Sequence, residues 1–389
     1  MRTISVEERR SRLGRRHFLA PGSRARDAVE LAAGLVGLHA TDPATVFLSA
    51  QARGVEGAEL ERALYEERSV LRMIGMRRTL FVLPLELAAV VQAACTESIL
   101  LTSRRRYAKL IEGGGIASDG EAWLDEVGAE TLRALEVRGQ AFAADLSADV
   151  PPLREKVHFG EGKTWASSTG MTSWVLFLLA AEGRVVRGRP RGAWTSSQWC
   201  WAPAEAWLEE PLPRLEPDAA RVELASRWLA AFGPATVADL KWWTGWTLTQ
   251  TRAAIGAIEV VEVDLDGVPG FVLPGDLEPE PEAEPWAAFL PSLDPTVMGW
   301  KERDWYLGEH APALFDRNGN AGPTVWWNGR VVGGWAGRKD GDVAYRLLED
   351  VGADGVRAIE TEADQLQSWL GESKVTPRFG TPLAKELGS

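Results

Sequence analysis

One order of predicted elements recurs three times along this chain, and that recurrence most limits the folds that the chain can adopt. In each cycle, two or three helices are followed by two β-like runs around a turn that contains Gly or Pro. The three β-like stretches are LRMIGMRRTLFVLP, RVVRGRPRGAWTSSQWCWAP and VVEVDLDGVPGFVLP. Helices followed by a β-hairpin are the order of a winged helix-turn-helix. The sequence therefore predicts an α+β chain built on three tandem winged helix-turn-helix domains.

Changes in composition mark the predicted domain boundaries. The Pro-rich stretch EEPLPRLEPD separates the second and third cycles, and the acidic stretch DLEPEPEAEPW is typical of a linker because it cannot bury an apolar face. Beyond it, strand-like runs around Asn328-Gly329, a strong hairpin signal, predict a small antiparallel sheet or barrel, which we interpret as a β-rich, barrel-like C-terminal domain. The predicted domains are residues 1–117, 118–210, 211–278 and 286–389.

Several classes of protein and of site find no support in the sequence. We find no run of about 18 apolar residues and no apolar signal-peptide core, so a cytoplasmic protein with no membrane partner is expected. The two cysteines and four histidines are scattered, which argues against a disulfide framework, a metal site or a bound cofactor. Phosphate-loop and GxSxG motifs are absent. We expect a monomer.

The net charge of −12 hides an uneven distribution. Residues 1–200 carry 27 Lys and Arg against 24 Asp and Glu, which leaves 16 against 31 for the rest of the chain. The clustered basic residues of the first part are mostly Arg, which makes bidentate contacts with phosphate. The pattern predicts double-stranded DNA as a partner, although solvated arginine faces would produce the same pattern. The candidate DNA-binding residues are Arg77, Arg78, Arg104, Arg105, Arg184, Arg187, Arg189 and Arg191.

Polar residues interrupt an apolar helical pattern in the stretch LVGLHATDP. The preceding pattern predicts a buried helix over residues 27–38, with His39 on or just beyond its last turn. Asp42-Pro43 is a helix-start signal, so His39, Thr41 and Asp42 are expected in a tight break between two helices. They could simply cap those helices. Alternatively, a His and an Asp this close could activate a water and stabilise positive charge, as cleavage of a glycosidic bond requires.

The chain resembles the bacterial AlkZ-type winged-helix family of DNA glycosylases over nearly its whole length. The stretches that carry the resemblance are LVGLHATDP, LRMIGMRRTLFVLP, LPSLDPTVMGWKERDW, NGRVVGGW and VTPRFGTPL. The resemblance implies tandem winged helices with a β-rich C-terminal part. It also implies removal of bulky or crosslinked N-alkylated purines from duplex DNA, in some members as self-resistance to a genotoxic natural product.

The chain departs from that family at its catalytic motif. The family has Gln, an apolar residue, and then Gln or Asp, whereas this chain has His39, Ala40 and Thr41. Three explanations stay open at this point: His39 activates the water in place of Gln, Asp42 supplies the carboxylate that Thr41 lacks, or catalysis is lost. Because the resemblance extends over nearly the whole chain, we interpret the chain as a monofunctional DNA glycosylase with His39, Thr41 and Asp42 as catalytic residues. The alternatives are a non-catalytic winged-helix regulator or lesion-binding protein, and a protein-interaction module that uses the acidic second half.

Overall fold

The computed structural model describes residues 1–160 and 166–389 and shows a mixed α+β fold, as the sequence predicted. The chain begins with strand β1 (Arg2–Thr3) and helix α1 (Val6–Arg16), which Ser5 caps by accepting a hydrogen bond from the Glu8 N–H. β1 pairs in parallel with Val263 and Asp264, more than 250 residues along the chain. The N-terminal segment is therefore part of the third sheet rather than the first.

The first unit has the order helix, strand, two helices, two strands. Its sheet has the order β2-β4-β3, with antiparallel pairs. Asp27 and Asp42 cap the first two helices with their carboxylates. The elements are α2 (Ala28–Gly34), β2 (Leu38–His39), α3 (Pro43–Gln51), α4 (Gly57–Tyr65), β3 (Val70–Ile74) and β4 (Leu80–Pro84).

A continuous helical stretch connects the first and second units. It consists of α5 (Leu85–Val91), a π-helical turn (Gln92–Thr96) and α6 (Glu97–Gly113). By length and composition this stretch could cross a membrane, but half of its most apolar window is buried inside the protein. The Trp246 indole N–H donates to the Ala94 carbonyl at 3.0 Å. The same length and apolarity are typical of a helix in a protein core.

The second unit repeats the order of the first. Its sheet, β5-β9-β8, again places the third strand between the first and the second. A β-hairpin is inserted between its second and third helices. The elements are α7 (Gly120–Arg138), β5 (Ala141–Phe142), α8 (Ala143–Asp149), β6 (Lys156–Phe159), β7 (Ser167–Gly170), α9 (Met171–Ala181), β8 (Val185–Pro190), β9 (Trp199–Pro203) and the short helix α10 (Ala204–Trp207).

The third unit has the same order again, with a single bridge between Ala235 and Phe271 in place of the first strand. Thr236 and Thr247 begin the second and third helices with capping boxes. The elements are α11 (Pro217–Phe232), α12 (Val237–Thr244), α13 (Leu248–Gly256), β10 (Val261–Leu265) and β11 (Val268–Val272).

The C-terminal part is an open antiparallel sheet with the order β12-β13-β14-β15, and not the predicted barrel-like domain. Four strands are too few to close around a core, and the long helix α16 packs against the sheet instead. Asn328-Gly329 forms the predicted tight turn, and both residues have positive φ. The elements are β12 (Ala287–Leu290), α14 (Asp304–Leu307), α15 (Ala311–Leu314), β13 (Thr324–Trp327), β14 (Arg330–Gly337), β15 (Val343–Leu347), α16 (Gly352–Leu370) and α17 (Pro382–Leu387).

The first unit, the third unit and the C-terminal part share one hydrophobic core. That core runs from Leu13 to Leu387 and includes the fully buried side chains of Trp228 and Trp326. The second unit has a core of its own, formed by residues between Tyr107 and Trp201. The sharing brings segments from both ends of the chain to the first sheet, where His39 lies.

Candidate active site and its cationic rim

The stretch from His39 to Asp42 connects β2 to α3. The sequence predicted His39 at a helix end, but α2 stops at Gly34 and His39 lies in β2, opposite Phe81. Val36 and Gly37 both have positive φ, which the α-helix does not allow, so the chain leaves the helix there and enters the strand. Asp42 then caps α3 by accepting from the Ala44 N–H at 3.2 Å, as predicted.

His39 is buried and lacks a hydrogen-bond partner at one ring nitrogen. Its side chain is 3% exposed, and its ring packs edge-on against Phe81 with the centroids 5.1 Å apart. Nδ1 has no partner. Burial, assisted by the nearby charge of Arg77, lowers the pKa of His39 to about 3. The imidazole is therefore neutral at physiological pH and can accept a hydrogen bond.

The C-terminal end of the chain closes over Thr41 and Asp42. The Arg378 backbone N–H donates to the Asp42 carboxylate at 2.9 Å, and the Arg378 guanidinium donates to the Thr41 carbonyl at 3.2 Å. The Thr41 hydroxyl accepts from the Leu80 N–H at 3.2 Å. Asp42 is only 5% exposed, whereas Thr41 is partly exposed and Arg378 is exposed. The three predicted catalytic residues are thus held in place by backbone hydrogen bonds on both sides.

Two arginines share one tryptophan ring beside this stretch. The Arg77 guanidinium carbon lies 4.1 Å from the centre of the Trp242 ring, and that of Arg303 lies 4.9 Å from it. Arg77 has a left-handed backbone, with φ 53°, and its Nε has no hydrogen-bond partner. Burial and the charge of Arg303 lower the pKa of Arg77 to about 10, so it remains a cation at neutral pH. We call Arg77, Trp242, Arg303 and Arg378 the cationic rim.

Sequence reasoning missed three members of this rim. Arg303 and Arg378 lie in LPSLDPTVMGWKERDW and VTPRFGTPL, two of the stretches that carried the family resemblance, so a signal was present. Trp242 gave no such signal. The contacts of the rim join residues separated by more than 60 positions, and no local periodicity reveals such proximity.

The other predicted DNA-binding arginines do not gather around His39. Arg104 is bound by carboxylates, with Asp125 at 2.5 Å and Glu121 at 2.6 Å. Arg189 pairs with Glu61 at 2.5 Å. Arg78 is exposed beside Phe177, with its guanidinium carbon 4.6 Å from the ring centre.

The remaining arginines of the predicted set are spread over the second unit. Arg105 and Arg184 are exposed on α6 and beside β8, and Arg191 stacks on Phe142 at 4.0 Å. Arg187 stacks on Trp201 at 4.5 Å. The structure thus brings Arg77 to the candidate site and gives the other seven different surroundings. No group of three or more His, Cys, Asp or Glu side chains suited to a metal ion occurs within residues 1–160 and 166–389.

A buried ion pair lies behind α3. Arg53 and Asp294 are both 0% exposed and form two hydrogen bonds of 2.8 and 2.9 Å. Arg53 also donates to the carbonyls of His17 and Ser49 and to the Thr296 hydroxyl, so all five of its N–H groups are used. Burial alone would raise the pKa of Asp294, but the charge and hydrogen bonds of Arg53 hold it below the ordinary value. The pair joins α3 to the loop that follows β12.

The two buried histidines predict a loss of stability in mild acid. Burial lowers the pKa of both His17 and His39 to about 3, so between pH 3 and 6.5 the unfolded chain binds more protons than the folded one. The free energy of unfolding should therefore fall by roughly 2 kcal/mol for each histidine from about pH 7.5 to about pH 5. We expect His39→Gln to lose about half of the histidine contribution in urea unfolding at the two pH values. The exposed His158→Gln should keep all of it; equal pH dependence in the two variants would contradict this prediction.

Comparison with known proteins places the chain in a family. Residues 32–369 match the family described as DNA glycosylase AlkZ-like. The chain is 29% identical over 173 residues to an interstrand DNA cross-link repair glycosylase of Streptomyces sahachiroi. That alignment covers 42% of this chain and 46% of the relative, so it spans about half of the relative's length.

A solved structure has the same overall fold. The structure of Streptomyces sahachiroi DNA glycosylase AlkZ matches 97% of this chain and 99% of its own, with a TM-score of 0.70 at 22% identity. At that identity the likeness establishes the shared fold. The family match extends over more than half of the sequence, from the stretch before His39 to the end of α16. The chain therefore belongs to the DNA glycosylase AlkZ-like family.

Proposed function

We propose that this chain is a monofunctional DNA glycosylase that removes bulky or crosslinked N-alkylated purines from duplex DNA, as a means of resistance to a genotoxin. The observation that carries the proposal is His39, a neutral imidazole with an unpartnered ring nitrogen at the position of the family's first catalytic residue. A DNA glycosylase name on a relative and on a structural neighbour agrees with it.

The reaction needs an oriented water more than a strong base. As the bond between the purine nitrogen and C1′ of the deoxyribose breaks, the alkylated base leaves with the bonding electrons, and the sugar resembles an oxocarbenium ion. Water then adds its oxygen to C1′ and gives up one proton. A neutral His39 accepts a hydrogen bond from that water and orients it, and the proton goes directly to solvent, so no positive charge is added beside the cationic sugar.

Thr41 and Asp42 have supporting roles in this proposal. Thr41 is the most exposed of the three residues and would help to hold the water. Asp42 is fixed by the Ala44 and Arg378 N–H groups and would stabilise positive charge on the sugar. The purine cation is already a good leaving group, so this modest cluster would suffice. A bulky adduct also favours an open cleft over a tight base-flipping pocket.

We further infer that the three helix–strand units are winged helices. In the first two units, the helix–strand–helix–helix–strand–strand order and the placement of the third strand between the other two support this inference. In the third unit a bridge replaces the first strand. Accordingly, we propose domains near residues 1–117, 118–210, 211–278 and 286–389, and a cytoplasmic monomer that acts on DNA.

A non-catalytic lesion-binding protein is the second candidate function. The burial of His39 and Asp42, 3% and 5% exposed, favours it, and DNA could reach the Asp42 carboxylate only if the segment around Arg378, which binds that carboxylate, moved. This alternative predicts specific binding of damaged duplex without release of the base.

One assay distinguishes the two functions. Purified protein is incubated with a duplex that contains a single N7-alkylguanine, and the strand is then treated with alkali, which cleaves at abasic sites. We expect the free alkylated base and an alkali-labile site, formed in equal amounts and in proportion to time. Tight, lesion-specific binding without either product would show the second function. Absence of salt-dependent DNA binding would exclude both and favour the protein-interaction module.

The cationic rim predicts where the duplex backbone lies. Arg303→Gln should weaken binding of undamaged duplex by about tenfold and lower the slope of log affinity against log salt by about 1, because one phosphate contact is lost. The matched control is Arg357→Gln, an exposed arginine on α16 far from the rim, which should leave both quantities unchanged. Equal effects of the two substitutions would show that Arg303 makes no special contact with phosphate. Filter binding or fluorescence anisotropy over a salt series gives both values.

A further inference from the structure

We propose that the cavity between the first and second units binds a small organic anion, with an apolar body and a carboxylate or phosphate that lies against Arg187 and Arg72. The cavity has a volume of about 770 Å³. It is a different site from the one around His39, and the proposal does not depend on glycosylase activity.

The register of the first sheet separates the two sites. Arg72, Val82 and Leu38 are paired with one another across the three strands of the sheet. His39, the residue after Leu38, is paired with Phe81. Side chains of successive residues in a strand point to opposite faces of the sheet, so Arg72 and His39 project to different faces. A ligand beside Arg72 would therefore not occupy the place of the purine.

Arg72 and Arg187 are stacked side by side on the hairpin of the second unit. The guanidinium carbon of Arg72 lies 4.0 Å from the Trp199 ring centre, and that of Arg187 lies 4.5 Å from the Trp201 ring centre. Trp199 and Trp201 are two residues apart on β9 and so share a face of the strand. The aromatic rings hold the two cations in fixed positions at the wall of the cavity.

The two charges lack a counter-ion. Among residues 1–160 and 166–389, no carboxylate oxygen lies within 4.0 Å of either guanidinium. Arg72 is 2% exposed, donates from one nitrogen to the Tyr65 hydroxyl at 3.2 Å, and has no partner at Nε and Nη2. The neighbouring Arg189, which stacks on Tyr65, is by contrast balanced by Glu61 at 2.5 Å. A buried cation without a partner destabilises the fold, and a bound anion would remove that cost.

Arg187 is the cation that a ligand can reach, and Arg72 adds charge behind it. Burial, and then the charge of Arg72, lowers the pKa of Arg187 to about 9, so it remains protonated at neutral pH. Arg187 is partly exposed and lines the cavity. An anion beside it would be attracted by both guanidiniums, since their fields add in a poorly hydrated space.

The rest of the lining defines the body of the ligand. Apolar residues that include Val185, Leu208 and Leu212 line much of the cavity, which suits an aliphatic or aromatic group. Four carboxylates, as well as Arg184 and Arg214, also line the cavity. Because the carboxylates repel an anion, we expect the anion to bind only at the end of the cavity where Arg72 and Arg187 lie. The carboxylates are Glu97, Glu182, Glu205 and Glu209.

Decanoate and decanol test the proposal because they have the same alkyl chain and differ in the charged group. We expect decanoate to raise the midpoint of thermal unfolding of the full chain in a saturable way. By calorimetry, decanoate should bind at least about tenfold more tightly than decanol. Arg187→Gln should abolish this preference, and Arg187→Lys should restore part of it. Arg191→Gln is the matched control, because Arg191 is on the same hairpin but stacks on Phe142 outside the cavity.

Three results would overturn the proposal. Equal affinities for decanoate and decanol would mean that the arginines serve only to stack the two units together. Full retention of the preference in Arg187→Gln would place the anion elsewhere. Displacement of decanoate by an equimolar undamaged duplex would assign the two arginines to the path of the DNA backbone.

Discussion

Replacing Asp294 by alanine is expected to lower the free energy of unfolding by about 3–5 kcal/mol, one of the two largest effects predicted for this protein. The substitution leaves the Arg53 guanidinium, which is 0% exposed, without the carboxylate that accepts two of its hydrogen bonds. It also leaves the Ser49 hydroxyl, which donates to Asp294 at 2.6 Å, without an acceptor. An unpaired buried charge is much more costly than the loss of an exposed ion pair.

A double substitution tests whether the loss of stability in Asp294→Ala arises from the unpaired charge of Arg53. Arg53→Met combined with Asp294→Ala removes both charges and should recover part of the stability that Asp294→Ala alone loses. Asp354→Ala is the control, since Asp354 forms an exposed pair with Arg357 on α16, and it should change the free energy of unfolding by less than about 0.5 kcal/mol. Urea unfolding followed by tryptophan fluorescence gives all three values. A loss below about 1 kcal/mol for Asp294→Ala would mean that water reaches Arg53.

The same ion pair explains how a short motif can be held rigidly. Asp42 begins α3, and Ser49 and Arg53 lie at its other end, where Asp294 binds both. Thr45, in the middle, donates to the Ser292 carbonyl at 2.6 Å. α3 is thus fixed along its length to the loop after β12, and the position of His39 relative to the rim depends on that attachment.

Local features of the fold could be predicted from the sequence. The cap at Asp42 was found because a side-chain oxygen two residues before a free N–H is a short-range pattern. The turn at Asn328-Gly329 was found because both residues tolerate positive φ. The sequence placed His39 at the end of a helix, whereas it lies in strand β2. The chain leaves the helical conformation at Val36, which has a positive φ, and a valine in the sequence gives no sign of that backbone angle.

Long-range features could not be predicted from the sequence. The prediction that clustered arginines face DNA assumed that their guanidinium groups form no ion pairs within the protein. Two of them do form such pairs, Arg104 with Asp125 and Arg189 with Glu61, and both carboxylates lie elsewhere in the sequence. Arg378 and Asp42 are 336 positions apart in the sequence, and their contact depends on how the C-terminal part packs against the first unit. The barrel-like C-terminal domain was wrong because strand patterns do not show whether the last strand meets the first.

His39→Ala is expected to reduce the rate of base release by about 10²- to 10⁴-fold, because the water loses the hydrogen-bond acceptor that orients it. The affinity for damaged duplex should change by no more than about twofold, because the cationic rim remains in place. His39→Gln should retain the rate to within about tenfold, since an amide oxygen can also accept a hydrogen bond from the water. Single-turnover release of an N7-alkylguanine from a labelled duplex measures the rate of each variant.

The pH dependence of the rate tests whether His39 orients the water as a neutral imidazole or acts as a base that titrates. With a pKa of about 3, the imidazole stays neutral above pH 4, so the wild-type rate should be flat from about pH 5 to 8, as should the rate of His39→Gln. A rate that falls below about pH 6.5 only in the wild type would mean that His39 titrates in the complex with DNA and acts as a stronger base. The control is His158→Ala, the same change at an exposed site on β6, which should match the wild type. If folded His39→Ala released the base at the wild-type rate, the water would have to be activated by another group, and Asp42 would be the first to test.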